Sequence, residues 1–163
     1  SHKVMASPVH TPEWLAARAR EWSNRVKRGL IWYATPHVGE ALAAAGFRVY
    51  GAGTRPPPDR STHPVLKIDV HGTGKNFQAW DHNLVLEFRG NARVWEQMIG
   101  RTHRMGQTSD EVRLDVLMDG GVRTEYFHAA RLGSAYIQRT TGMTQRLQIT
   151  TVADPCVGPY HAH

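Results

Sequence analysis

The chain predicts an α/β fold of three layers, with a mostly parallel central sheet and helices on both faces. Three observations carry this. Its length of 163 residues and hydrophobic fraction of 40% suit a single domain with a proper core. "LIWYA" (Leu30–Ala34) and "NLVLEF" (Asn83–Phe88) are short apolar runs of the buried-strand type. Segments with helical spacing alternate with these and with further strand-like runs, the pattern of a parallel sheet covered on both sides.

The elements follow in order. "TPEWLAARAREWSNRVKRG" opens with Thr11 as N-cap and Pro12 at the first helical position. Trp14, Leu15, Ala19, Trp22 and Val26 recur at helical spacing, and Gly29 stops the helix after Lys27 and Arg28. After the strand "LIWYA", the segment "TPHVGEALAAAG" reads as a loop and helix ending at Gly46. "FRVYGAG" is an alternating strand that runs into glycines, and "TRPPPDRSTHP" is a loop. "VLKIDV" is the next strand, leading into the turn "HGTGKN"; "FQAWDH" suits a short helix and "NLVLEF" another strand. "NARVWEQMIGRTHRMGQ" reads as a helix with a loop around Gly106, "EVRLDVLM" as a strand, and "TEYFHAARLGSAYIQRTTG" as a helix. "QRLQITTVA" closes the chain as a last strand or extended tail, with residues 1–28 an N-terminal extension and helix and 151–163 a flexible tail.

Composition narrows the function. No apolar run approaches a membrane span of roughly 18 residues, and Ser-His-Lys-Val-Met at the start has no apolar signal core, so a soluble protein without a membrane partner is expected. The missing initiator Met suits a processed or cut chain. A single cysteine, Cys156, rules out an internal disulfide and fits a reducing, cytoplasmic setting. The net charge is +6, and of 20 basic residues 16 are arginine. Arginine suits bidentate phosphate contacts, so a phosphate-rich partner fits; codon bias in a GC-rich genome is the competing explanation.

In parallel α/β folds ligands bind in the loops at the carboxyl ends of strands. Three such loops are "ATPHVG", "GAGT" and "HGTGKN", expected along one edge of the sheet with the Arg101 segment in reach of it. "GTGKN" tests negative as a Walker phosphate loop. Asp69 stands where the first glycine belongs, and Asn76 replaces the hydroxyl residue after Lys75. No later strand ends in a convincing Asp-Glu pair, so the chain has no complete triphosphatase site of its own. Gly72 and Gly74 still form a loop that backbone or phosphate approaches closely, with a plain tight turn the competing reading.

In "WEQMIGRTHRMGQ", Gln97, Arg101 and Arg104 fall at i, i+4 and i+7, one helical face. A solvated basic face is the bland alternative. It accounts neither for Gly100 beside Arg101 nor for the His-Arg-Met-Gly-Gln ending that carries another charge into the turn. Such a face suits a terminal phosphate met from outside its pocket, where guanidinium groups neutralise charge on a transferred phosphoryl group.

"QMIGRTHRMGQ" resembles motif VI of superfamily 2 helicases, and its "RTHRMGQ" ending is closest to Swi/Snf-type translocases and related phage helicases. "HGTGKNFQAWDHNLVLEF" resembles the family's motif V and the strand after it, at the family's spacing, and "GLIWYATPHVGEALAAAG" resembles motif IV. The resemblance covers roughly residues 28 to 150. It implies a RecA-like C-terminal domain: a second lobe that closes on ATP and Mg2+ held by a first lobe carrying Walker A and B. By position in the motif, Arg104 is then the finger, with Arg101 assisting and Gln97 helping to set the site. Motif V (Gly72, Thr73, Gly74, Lys75, Asn76 and Gln78) couples the nucleotide cleft to the nucleic-acid track. Thr35, His37, Thr73 and the Gly51–Thr54 turn, Gly53 included, contact the DNA backbone, and double-stranded DNA is the expected track. Everything belonging to the first lobe is missing here. The lobe is therefore expected in the same longer chain or in a separate subunit, of bacterial or phage origin, and this chain alone is not expected to hydrolyse ATP. A stand-alone DNA-binding or regulatory module without catalysis is the alternative. Cys156, His161 and His163 make a poor zinc set, so no metal site is expected. His103 is taken as a positioning donor, and the tryptophans as core.

Overall fold

The computed structural model describes residues 11–71, 77, 79–80, 82–88, 92–101, 113–118, 122–155 and 158–159. The strands are β1 (Leu30–Tyr33), β2 (Val49–Tyr50), β3 (Val65–Lys67), β4 (His82–Val85), β5 (Arg113–Val116), β6 (Thr151–Asp154) and β7 (Gly158–Pro159). The helices are α1 (Pro12–Arg25), α2 (Pro36–Ala44), α3 (Ile68–His71), α4 (Ala92–Gly100), α5 (Val122–Thr141) and α6 (Arg146–Ile149). They form one sheet of order β2-β3-β1-β4-β5-β6-β7, parallel from β2 through β6, with β7 antiparallel at the edge.

Helices cover both faces, and the strands feed both by alternation. Ile31, Tyr33, Val65 and Leu84 point at α1 and α2, where they meet Leu15, Trp22, Val38 and Leu42. Leu30, Trp32, Leu66, Val85, Leu114 and Val116 point at the other face and pack with Trp95, Ile99, Phe127 and Leu147 of α4, α5 and α6. Each fully buried aliphatic or Phe side chain in these layers contributes about 1.5–3 kcal/mol. This is the three-layer α/β fold that the alternation of strands and helices predicts.

Local signals set the element starts. Thr11 Oγ1 accepts the Trp14 amide at 3.1 Å and Pro12 stands in the first turn of α1. Gly46, with φ +96°, follows α2 in the left-handed region that glycine tolerates.

Four expectations need correction. The first helix ends at Arg25, not at Gly29. Gly29 serves packing instead, since a Cβ there would lie 2.5 Å from Trp22 Cη2 and 2.7 Å from the His82 carbonyl. The strand "VLKIDV" stops at Lys67 because β1 and β2 offer β3 no partner further on; Ile68 turns into the core and starts α3. In "FQAWDH", Phe77, Ala79 and Trp80 form a turn, closed by the Trp80 amide donating to the Phe77 carbonyl at 3.1 Å. The segment read as a last strand or extended tail supplies the strand, β6, paired in register with β5 (Leu114 beside Val152), so a flexible tail from residue 151 is corrected, and its start forms α6. The exposed edge of β5 carries unpaired amides and carbonyls that β6 satisfies, while Val152 and Leu147 fill the core.

Candidate functional site

The chain leaves β1 into α2 on one face of the sheet and leaves β4 towards α4 on the other. Neighbouring strands whose connections diverge in this way open a crevice at their carboxyl ends. Glu87 fills that crevice. Its Oε1 accepts the amides of Ala34 and Thr35, each at 2.9 Å, and both carboxylate oxygens accept Thr35 Oγ1 at 3.1 Å. A carboxylate thus sits at the N-terminus of α2, where the helix dipole favours an anion. Beside it lies a hollow of about 160 Å³ lined by Glu87, Phe88, Arg123 and Tyr126. Arg123 Nη1 donates to the Leu86 carbonyl at 2.5 Å and the Leu117 carbonyl at 3.3 Å, bracing the ends of β4 and β5.

Tyr33 supports the same end from below. Its ring packs on Gly39, where a Cβ would come within 2.7 Å, and its hydroxyl lies close to Gly51. Burial first, and the nearby Asp69 charge second, push the Tyr33 hydroxyl pKa above its ordinary value, so it is a neutral phenol. Of the residues expected to touch a nucleic-acid backbone, Thr35, His37, Gly53 and Thr54 all lie at this end. Thr35 is committed to Glu87. His37 is exposed, 3.8 Å from Glu40. Gly53 adopts φ +79° in an exposed turn that Thr54 closes, its amide and hydroxyl both donating to the Gly51 carbonyl at 3.3 and 2.7 Å.

Gln97 and Arg101 are elsewhere. α4 runs back from the carboxyl end of β4, and its nine residues carry the chain about 13.5 Å towards the amino end of the sheet. There the Arg101 carbonyl accepts the Phe77 amide at 2.7 Å, and Arg101 Nε donates to the Gln97 carbonyl at 3.2 Å. Phe77 belongs to this end too. Its neighbour Trp80 donates through Nε1 to the Ser61 carbonyl at 2.8 Å, just ahead of β3. Arg28, just ahead of β1, donates to the carbonyls of Ala79, Ser61 and Asp59. The expectation that the Arg101 segment reaches the edge of Thr35 and Gly53 is therefore corrected: a helix returning between two parallel strands must end at the opposite edge. Arg101 is half-buried and Gln97 exposed. Arg104, His103, Gly72, Thr73, Gly74, Lys75, Asn76, Gln78, Cys156, His161 and His163 lie outside the described residues.

The amino end also holds a buried polar knot that the sequence did not announce. Asp115 Oδ2 accepts Trp22 Nε1 at 2.7 Å and lies 2.9 Å from His82 Nε2. Burial alone raises the Asp115 pKa, but hydrogen bonds from His82 and Trp22, with the charges of His82 and Arg113, outweigh it and hold the carboxyl below its ordinary value. Glu87, Arg123 and Asp115 were not singled out from sequence. An acid closing an apolar strand in "NLVLEF", and one interrupting "RLDV", are the signals they left.

The fold is a three-layer α/β arrangement of the RecA-like type. Among solved structures the chain is similar to the crystal structure of the C-terminal part of the Fun30 ATPase domain, with a TM-score of 0.54 and 14% identity over 79% of this chain. The match spans 48% of that chain, about half its length. No family model matches the sequence, and no curated protein does. At this identity the likeness shows the fold alone. Among the described residues no helix is long and apolar enough to cross a membrane.

Proposed function

We propose that this chain is the second RecA-like lobe of an ATP-dependent superfamily 2 DNA helicase or translocase. The observation that supports this best is the bond from Phe77 to Arg101. Phe77, in the block that resembles motif V, and Arg101, in the block that resembles motif VI, are separated in sequence by β4 and α4, yet they meet at this point, in a fold shared with part of a known ATPase domain. Motif V and motif VI must be neighbours if one is to relay the state of the other.

Among the described residues no His, Cys, Asp or Glu cluster is arranged to hold a metal ion. As the resemblance implies, Mg2+ and ATP belong to a separate first lobe carrying Walker A and B, which supplies the phosphoryl group and its activation. This lobe's part is cationic. Arg104 meets the terminal phosphate and Arg101, tethered back to its own helix at Gln97, assists. The opposite end of the sheet faces DNA through His37 and the Gly53–Thr54 turn, which reads backbone and not sequence.

The test is DNA-stimulated ATPase on the chain alone and then mixed with a Walker-carrying first lobe. Silence alone with turnover on mixing is the expected result. Silence in both, with salt-sensitive DNA binding retained, would replace this reading with a stand-alone binding module. Turnover by the lone chain would mean that it holds a nucleotide site of its own.

A further inference from the structure

A groove of about 590 Å³ runs along the free edge of β2, and neither Glu87 nor Arg101 lines it. Arg20, Arg48, Arg60 and His63 line it with Phe47 and Tyr50, and no carboxylate does. Part of this wall is built in place. Arg20 lies over the Phe47 ring at 4.1 Å and donates to the Ala45 carbonyl at 2.6 Å; the His63 ring is held 2.5 Å from the Val26 carbonyl. Arg48 and Arg60 are exposed, and neither has an ion-pair partner among the described residues. Arg48 and Tyr50 project from the same side of β2, the guanidinium 6.0 Å from the ring centroid, and Tyr50 is half-buried.

We infer that this groove binds a single-stranded polynucleotide, its phosphates on Arg48, Arg60 and Arg20 and a base on Tyr50. Cations without counter-carboxylates beside an aromatic platform are the parts such a site needs. An acidic peptide fits less well. Strand addition draws its affinity from main-chain hydrogen bonds, and β2 offers an edge of only two residues. A duplex cannot place a paired base on a ring at the floor of a groove. The Gly51–Thr54 turn directly follows Tyr50, so a strand in the groove is continuous with that turn. The inference goes beyond the proposed ATPase role and does not require it.

The experiment uses the full chain without nucleotide or partner lobe, so a failed ATPase reconstitution leaves it untouched. Labelled oligothymidylate and oligouridylate are titrated by fluorescence anisotropy across a salt series, with a short duplex and polyglutamate as competitors. Arg48→Ala/Arg60→Ala is expected to weaken binding of whichever strand is preferred at least about tenfold. It should also flatten the salt dependence by about 0.7 per lost phosphate contact. Tyr50→Leu keeps an apolar side chain on β2 and should lose roughly fivefold to a hundredfold with the salt slope unchanged. Melting curves matching the parent chain exclude misfolding, and Arg139→Ala, which removes an exposed arginine on α5 outside the groove, should not reproduce the loss. Unchanged affinity in both groove variants overturns the inference. So does a duplex that binds more tightly than the single strands, or polyglutamate that competes as well as the oligonucleotide, which would make the groove a site for an acidic protein.

Discussion

At the carboxyl end of the sheet the chain holds the Ala34 and Thr35 amides, just ahead of α2, with its own Glu87, whereas at the amino end it brings the carbonyl of Arg101 against the amide of Phe77. One end carries a carboxylate where the resemblance implies a backbone phosphate; the other carries Gln97 and Arg101. A helix N-terminus is an anion site only while no internal anion occupies it. The comparison teaches that the carboxyl-end helix terminus is a structural joint; under the proposed function, phosphate contact at that end is assigned to the exposed His37 and Gly53–Thr54. It also separates the two proposed tasks by the length of a helix, with rigid strands and α4 between them.

The largest test of this separation pairs two variants in the reconstituted two-lobe protein. Arg104→Ala should lower ATP turnover by about 10³–10⁵ and leave DNA affinity nearly unchanged. Thr54→Ala should weaken DNA binding severalfold and leave turnover at saturating DNA intact. If each variant damages both activities equally, the division between the two ends is wrong.

Next in size is the knot under the amino end. Asp115→Ala strands the buried Trp22 N–H and removes the His82 contact, at a cost of about 3 kcal/mol read from urea unfolding. The sign with pH follows from the lowered native pKa of Asp115. Its carboxylate contributes stability above the unfolded value of about 3.9, and that contribution is lost as pH falls through the lower native value. Asp115→Asn should therefore flatten the acid limb of stability against pH, and an unchanged limb would remove Asp115 from the account.

Glu87→Gln sharpens the contrast from the other side. It removes the charge from the α2 terminus and weakens three donated hydrogen bonds, costing about 1–2 kcal/mol. With the internal anion gone, DNA affinity should rise at low salt. A fall instead would show that the carboxylate orients the contact residues. The smallest effect is Gly53→Ala, at about 1 kcal/mol: the added methyl meets open space, so only the positive φ resists it.

Much of this architecture was legible because its signals are local. Thr11-Pro12 starts α1, Gly46 stops α2, and the run "LIWY" marks a strand buried on both faces. Helical period puts Gln97 and Arg101 on one face, but α4 ends at Gly100 and leaves Arg101 in the turn after it; the blocks that resemble helicase motifs were visible as residue patterns. What tertiary structure decided depends on neighbours that a linear pattern does not contain. β3 ends at Lys67 because no strand lies beside its continuation, and β6 exists because β5 has an edge to fill. Glu87 became the acceptor of the Ala34 and Thr35 amides only when β4 was laid beside β1. The Arg101 turn went to the amino end because a helix joining parallel strands must travel back. Helix period, caps and turn residues act over a few positions, and the sequence determined them. Strand ends, internal counter-charges and the edge on which a loop emerges are set by which segments pair, and only the assembled sheet decides that.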